Sequence, residues 1–394
     1  MRSVGARQER RPGASRRVRW LAGGAMLAAC GRSDGQPPAP PDLAGSAGAA
    51  VTVDTLLPAA PLARARVDRA LFADATLDTA ALRLVVDSAV RLPRLRSVLV
   101  AHRGRVVAER YLRGARPDRA ANLKSASKSV LATQVGIALA GGAFRGTAQP
   151  ITELLPDATA ALDSAKRAIT LGDLLSMRTG LRSVSFAGYG RWVSSRDWVR
   201  AALAEPVVEP TGTAGGGMIY STGTTHLISA ALTRATRGST HAHAVRTLGR
   251  PLGIRIPPWT TDPQGISFGG NEMRMTPRDL LRLAETLRAE GRAPADAPEP
   301  GRAVVPAAWI DSMWTARGRS GYSGHAYGYG WWIRLAPGAR AAHPVYFAWG
   351  YGGQFAFIVP GLELVLVTTS DPDVADRDRG HLGALHAALD GAVR

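Results

Sequence analysis

A chain of 394 residues, 45% apolar and 20% charged, can fold as one large α/β domain or as two lobes sharing a cleft, and its composition is that of an ordinary globular protein. The formal charge of +18 raises the question of nucleic acid, but seven Arg and one Glu fall within the first 29 residues and the remaining Arg are scattered, often beside Asp or Glu. No basic stripe interleaved with aromatic residues is present, so the charge argues against a nucleic-acid partner.

Residues 1–29 are Arg-rich and end in an apolar run, Trp20 to Ala29, closing on Leu27-Ala28-Ala29-Cys30-Gly31. A charged start, a short apolar stretch and small residues before the cleavage point describe a secretory signal, too short to remain as a membrane span. Cys30 is the single cysteine of the chain, so no intramolecular disulfide can form. Its place resembles the lipobox of bacterial lipoproteins, which implies lipidation of Cys30 and anchorage of an exported protein to a membrane facing the periplasm or cell exterior; a stray cysteine in a plain secretory signal is the simpler alternative. Ser15-Arg16-Arg17 also resembles a twin-arginine signal, although Arg19 stands where a large apolar residue is usual. Residues 30–62, with Pro37-Pro38-Ala39-Pro40-Pro41, read as a flexible tether, and the folded domain is expected over 63–394.

Within that domain, Ser97–Ala101 and Val106–Tyr111 flank Arg103-Gly104 as a predicted hairpin. A buried helix is expected from about Ser125 to Leu139. Ile169–Met177 opens with Thr170 and Asp173 in capping-box positions and is expected to stop at Gly180. Thr276-Pro277-Arg278-Asp279 repeats that start signal ahead of an amphipathic run to about Glu290. Gln354–Val359 and Leu362–Thr368 form a second hairpin pattern across Pro360-Gly361. Strands at both ends around a helical middle predict an α/β fold: an antiparallel sheet built from both chain ends, flanked by helices, with an inserted, mostly helical lobe and a cleft at the junction.

The chemical signal lies in Lys124-Ser125-Ala126-Ser127-Lys128. Ser125 and Lys128, three apart at the mouth of a buried helix, share a face, and a desolvated lysine amine is a base that can activate a serine hydroxyl. Lysine is scarce: Lys124, Lys128 and Lys166 are the three in the chain. Where arginine serves most cationic roles, a retained lysine points to a need for an amine that can lose its proton. The pattern alone is weak, since Ser125 could be an ordinary helix cap. A second element is Tyr220-Ser221-Thr222, whose phenol could share a proton with Lys128, or could merely pack at a loop–helix junction. A third is Ala348-Trp349-Gly350-Tyr351-Gly352-Gly353-Gln354, where glycines entering an edge strand let a substrate approach the backbone and one N–H can complete an oxyanion hole.

Taken in order, these elements resemble class C β-lactamases and their relatives: DD-peptidases, β-lactamase-like esterases and 6-aminohexanoate-dimer hydrolase. Ile169–Leu181, Met275–Leu280 and Tyr327-Gly328-Tyr329-Gly330-Trp331-Trp332 resemble familial segments too. The resemblance implies a serine hydrolase of the β-lactamase/transpeptidase fold with no cofactor: Ser125 the acylated nucleophile, Lys128 its proton acceptor and Tyr220 the relay to the leaving group. Two departures bear on substrate. Thr222 stands where the family's Tyr-x-Asn motif has its amide. The Lys-Thr-Gly triplet has no cation here; in the alignment chosen, Tyr351 supplies the oxyanion N–H between Gly350 and Gly352, with the glycine register open by one or two residues. Loss of that cation favours uncharged esters or linear amides over β-lactams. The alternative is a penicillin-binding or sensing lipoprotein, or a DD-peptidase-like enzyme, with little turnover.

Other folds and sites find less support. There is no Gly-x-Ser-x-Gly elbow and no His-Glu-x-x-His. His241 with His243, and His381 with His386, are expected at the surface without metal, and Asp371, Asp373, Asp376 and Asp378 in a solvated loop rather than a calcium site. Tyr189, Trp192, Trp198, Trp331, Trp332 and Trp349 could line an aromatic pocket, though tryptophan more often belongs to a core. Oligomeric state is not legible.

Overall fold

The computed structural model describes residues 86–88, 90–210, 217–334, 343–372 and 381. The export segment 1–29, Cys30, the tether 30–62 and the domain start at 63 lie outside these residues, as do Asp373, Asp376, Asp378 and His386.

The first and last described strands meet in one sheet. Strand β1 (Leu95–His102) turns through Arg103 and Gly104, both at positive φ, into β2 (Arg105–Tyr111), as the hairpin signal predicts. On its other side β1 pairs antiparallel with β10 (Leu364–Ser370), the last described strand. The small strands β3 (Ala121–Asn122) and β4 (Arg274–Met275) pair separately with each other. The main sheet continues through β9 (Gln354–Val359), β8 (Val345–Gly350), β7 (Trp332–Arg334), β6 (Ala326–Tyr327) and β5 (Gly318–Arg319), every pair antiparallel. The strands β1, β9 and β10 read as nearly unbroken apolar runs because both faces of the sheet are covered.

The architecture is therefore the expected mixed α/β one, with a large antiparallel sheet flanked by helices and a mostly helical stretch between β3 and β5. One detail differs. The glycine-rich strand is interior, because β5–β7 add three further strands outside β8. Tyr327-Gly328-Tyr329-Gly330-Trp331-Trp332 is the β6–β7 turn, and its glycines are there for close approach. A Cβ on Gly330, at φ +73°, would fall 2.5 Å from the Ala132 side chain, and one on Gly328 would fall 2.0 Å from the Met313 carbonyl.

Those contacts hold helix α1 (Ser127–Ala140), which is buried nearly all round as its apolar sequence requires. Ser129 donates to the Gly330 carbonyl at 2.6 Å, and the Trp309 indole N–H to the Ala132 carbonyl at 3.0 Å. Helix α2 (Leu171–Ser176) has the predicted capping box between Thr170 and Asp173. It ends earlier than expected, at Met177 in the left-handed conformation; Gly180 is needed instead because a Cβ there would strike the Glu209 carbonyl at 2.1 Å. After α3 (Trp198–Ala204) and α4 (Thr222–Ala235), α5 (Pro277–Arg288) starts on the Thr276 cap and packs on the sheet, two residues shorter than expected. No helix among the described residues is long and apolar enough to cross a membrane.

Candidate active site

Ser125 sits one element earlier than expected, in a 3-10 turn (Lys124–Ala126) that runs into α1. A turn of three residues brings positions three apart into register, so the change favours the pairing with Lys128. The turn is pinned from below. Lys124, at φ +48°, has its N–H bound to the Asn122 side chain and its ammonium paired with Glu272 at 3.2 Å; Asn122 also donates to Glu272. The retained amine of Lys124 is thus a brace, and that of Lys166 caps α3 at the Leu203 carbonyl. Pairing of β3 with β4 carries the loop 270–273 alongside this turn, where Leu123 N–H meets the Met273 carbonyl at 2.8 Å.

Lys128 is 2% exposed, and its Nζ reaches three oxygens: Ser125 Oγ at 3.2 Å, Thr222 Oγ1 at 3.2 Å and the Gly270 carbonyl at 2.8 Å. Burial lowers its pKa from the usual lysine range to about 7, and no carboxylate offsets that effect. A neutral amine has two N–H groups and one lone pair. A carbonyl can only accept, so one N–H goes to Gly270; when Thr222 accepts the second and gives its own hydrogen to Ser185, one of the two directions open to that pair, the lone pair is left for the Ser125 hydroxyl.

Tyr220 joins them. Its ring lies 4.9 Å from Lys128 Nζ and stacks on Trp332 at 5.7 Å, with Ser125 close enough to its phenol to affect its ionisation. Burial raises the phenol pKa and Ser125 lowers it somewhat, with burial the larger effect; the group is protonated at neutral pH. The segment Ser183–Ser185 zips along Tyr220–Thr222. Ser183 donates to the Tyr220 carbonyl at 2.7 Å, Val184 N–H to Ser221 at 3.2 Å, and Thr222 N–H to Ser185 at 2.9 Å. Ser185 caps α4 from another part of the chain and shares a 2.9 Å bond with Thr222 Oγ1. Thr222 Oγ1, which contacts Lys128, stands where the family motif has an amide, and Ser185 backs it. Nothing local in the sequence marked Ser185, because the contact joins residues 37 apart.

The glycine-rich element reaches the same place. Gly350 ends β8 so close to the Ser125 turn that a Cβ on it would lie 2.1 Å from the Leu123 carbonyl. Tyr351 follows with its side chain largely exposed, and Gly352 and Gly353 take positive φ. Buried Gln354, also missed from sequence, locks this turn by exchanging two hydrogen bonds with the Ser370 backbone and donating to the Tyr351 carbonyl. Arg94 approaches Gly352 from a buried position and donates from Nε and Nη2 to the Asp371 carbonyl. Trp332 and Trp349 pack at 5.4 Å beside Tyr220, whereas Trp192 and Trp198 enter a core cluster with Phe268 and His226, edged by Tyr189, and Trp331 packs on Trp314.

Two histidine expectations are corrected. His243 is buried in the helical lobe, its pKa lowered to about 4 by desolvation, and His381 is buried against Ser370. Their burial comes from the assembled fold, which local composition does not disclose. Asp371 pairs with Arg96. Among the described residues no group of three or more His, Cys, Asp or Glu could hold a metal ion.

Gly270, at φ +80°, has no room for a side chain, since a Cβ would meet Thr225 Oγ1 at 2.5 Å and Lys128 Cγ at 2.6 Å. Gly270→Ala is expected to lose more than about 1 kcal/mol of stability. By displacing the Lys128 stem it is also expected to slow any reaction at Ser125 on the order of 100-fold; thermal melts and active-site labelling rates check the two effects.

Residues 96–389 match the model of the family described as Beta-lactamase. The chain belongs to that family. Relatives compared with it include hydrolases. A 6-aminohexanoate-dimer hydrolase from Paenarthrobacter ureafaciens is 26% identical over 304 residues, 70% of this chain and 73% of that one. Among solved structures, a penicillin-binding protein homologue from Caulobacter crescentus superposes with a TM-score of 0.61 at 19% identity, covering 79% of this chain and 97% of that one. EstCE1, a hydrolase with promiscuous acyltransferase activity, gives 0.62 at 18%, covering 79% and 98%. These two show the shared fold of this Beta-lactamase-family hydrolase.

Proposed function

We propose that this Beta-lactamase-family protein is a serine hydrolase that cleaves uncharged esters or linear amides through an acyl-enzyme on Ser125. One observation carries the reading: a buried lysine with a pKa near 7, two of its amine positions occupied by Gly270 and Thr222, stands 3.2 Å from the Ser125 hydroxyl. Lys128 takes the Ser125 proton as Oγ attacks the carbonyl carbon. The backbone N–H groups of Ser125 and Tyr351 receive the oxyanion. Tyr220, protonated and beside Ser125, relays a proton to the departing alkoxide or amine, and water then releases the acid. The glycine-rich turn carries Trp349 and Tyr351 and no Lys or His of the kind that would hold a substrate carboxylate, which supports uncharged esters or amides; the Paenarthrobacter ureafaciens relative, a 6-aminohexanoate-dimer hydrolase, supports hydrolysis. We further propose export and anchorage through a lipidated Cys30.

The test is intact mass and turnover with a p-nitrophenyl ester, a fluorophosphonate and a penicillin. Ester turnover and a fluorophosphonate adduct on Ser125, with slow penicillin turnover, are expected. A long-lived penicillin adduct without ester turnover would replace the proposal with a penicillin-binding or sensing role.

A further inference from the structure

Behind Lys128 lies a buried histidine–aspartate pair that the reaction scheme does not use. His226, on α4, and Asp262 have fully buried side chains with Nε2 and Oδ2 2.9 Å apart. The other ring nitrogen, Nδ1, lies 3.2 Å from the Gly269 N–H. A backbone N–H can only donate, so Nδ1 is the acceptor and Nε2 carries the hydrogen that it gives to Asp262. Asp262 is held in turn: its Oδ1 accepts the N–H groups of Gln264 at 2.9 Å and Ile266 at 2.8 Å. The next residue after Gly269 is Gly270, whose carbonyl takes one hydrogen of the Lys128 amine at 2.8 Å.

We infer that the Asp262–His226 pair is a positioning device for Lys128: it fixes the Gly269–Gly270 backbone so that the Gly270 carbonyl orients the amine lone pair on Ser125. This rests on the proposed role of Lys128 as base. The glycines make the link stiff. A Cβ on Gly269 would sit 2.3 Å from the Thr225 carbonyl, so this backbone lies flat on α4, and the Thr225 hydroxyl shares its one hydrogen between the Thr222 carbonyl at 2.9 Å and the Gly269 carbonyl at 3.0 Å. His226 itself is walled by Trp192, Trp198 and Phe268, which keep water from competing for either nitrogen. The groups facing Lys128 are Ser125, Thr222, the Gly270 carbonyl and the Tyr220 ring, and the nearby Lys124–Glu272 pair is internally neutralised.

Asp262→Asn is isosteric and tests the chain through hydrogen direction alone. If Asn keeps its oxygen toward Gln264 and Ile266, its NH₂ faces Nε2, forces the hydrogen onto Nδ1 and sets it against the Gly269 N–H. If the amide turns over, its NH₂ faces the two backbone donors instead. The fluorophosphonate labelling rate of Ser125 is expected to fall by up to about 100-fold, with its pH midpoint moved downward, because a displaced Gly270 carbonyl and the loss of a buried negative charge both disfavour the ammonium, and KM for an ester little changed.

His226→Phe and His226→Asn separate positioning from packing. Phe keeps the ring and loses the acceptor, while Asn keeps an acceptor near the place of Nδ1 and loses the ring. Labelling faster in the Asn than in the Phe variant, despite a lower Tm, is expected. The reverse order, or Asp262→Asn labelling at the wild-type rate and pH midpoint, overturns the inference. Labelling that persists in Ser125→Ala would instead overturn the functional reading beneath it.

Discussion

Ser125→Ala is expected to abolish fluorophosphonate labelling and to reduce ester turnover by at least about 10⁴-fold, with the fold intact. The serine is partly exposed and its side chain carries no core packing, so the hydroxyl can be removed without a cavity cost. What remains after its loss is the backbone turn and the Lys128 amine, which can polarise a carbonyl or a water but can form no acyl-enzyme. Intact mass after exposure to a slow ester gives the decisive reading. An acyl adduct on the wild type that is absent from the variant supports the mechanism, and full turnover by the variant would remove Ser125 from it.

Lys128→Met is expected to be as damaging to activity and yet to raise the melting temperature. The pH dependence follows from the amine's displaced pKa. Acylation needs the neutral amine, so the wild-type labelling rate is expected to rise with pH through a midpoint near 7. The stability effect has the opposite origin. The folded amine titrates near 7 and an ordinary lysine near 10.5, so between those values the unfolded chain holds the extra proton and wild-type stability rises with pH. Below that window the buried amine is charged and the penalty is fully present. At ~1.4 kcal/mol per pH unit the window amounts to about 5 kcal/mol, more than the ~1–3 kcal/mol for leaving the Gly270 carbonyl unpaired. Methionine matches the lysine stem closely enough to fill its channel. The gain in Tm should be largest at pH 6 and shrink toward pH 10. A variant that melts lower than the wild type at pH 6 would contradict the buried-charge account.

Much of this protein was legible locally. The two hairpin patterns stand as β1–β2 and β9–β10, and the Thr170–Asp173 and Thr276–Pro277 signals start their helices where expected. Such features depend on neighbours within a few residues, and capping or turn chemistry is written in that range. The three-residue spacing of Ser125 and Lys128 is equally local, and it survives the change from an α-turn to a 3-10 turn.

The surroundings that give those residues chemical character were not legible. Ser185 meets Thr222 across 37 residues, the Gly270 carbonyl meets Lys128 across 142, and Gln354 fixes the Tyr351 turn through strand β10. Each is a polar group whose partner is chosen by packing, because a buried donor or acceptor must be satisfied by whatever the fold brings near it. The same holds for His243 and His381, which read as surface residues and are buried. By itself, then, the sequence determined the strand–helix–strand order, the capped starts at Thr170 and Thr276 and the spacing that pairs Ser125 with Lys128. The tertiary structure alone decided that Lys128 is desolvated, since burial is a property of the assembled lobes and a lysine amine changes its proton affinity only when water is taken from it.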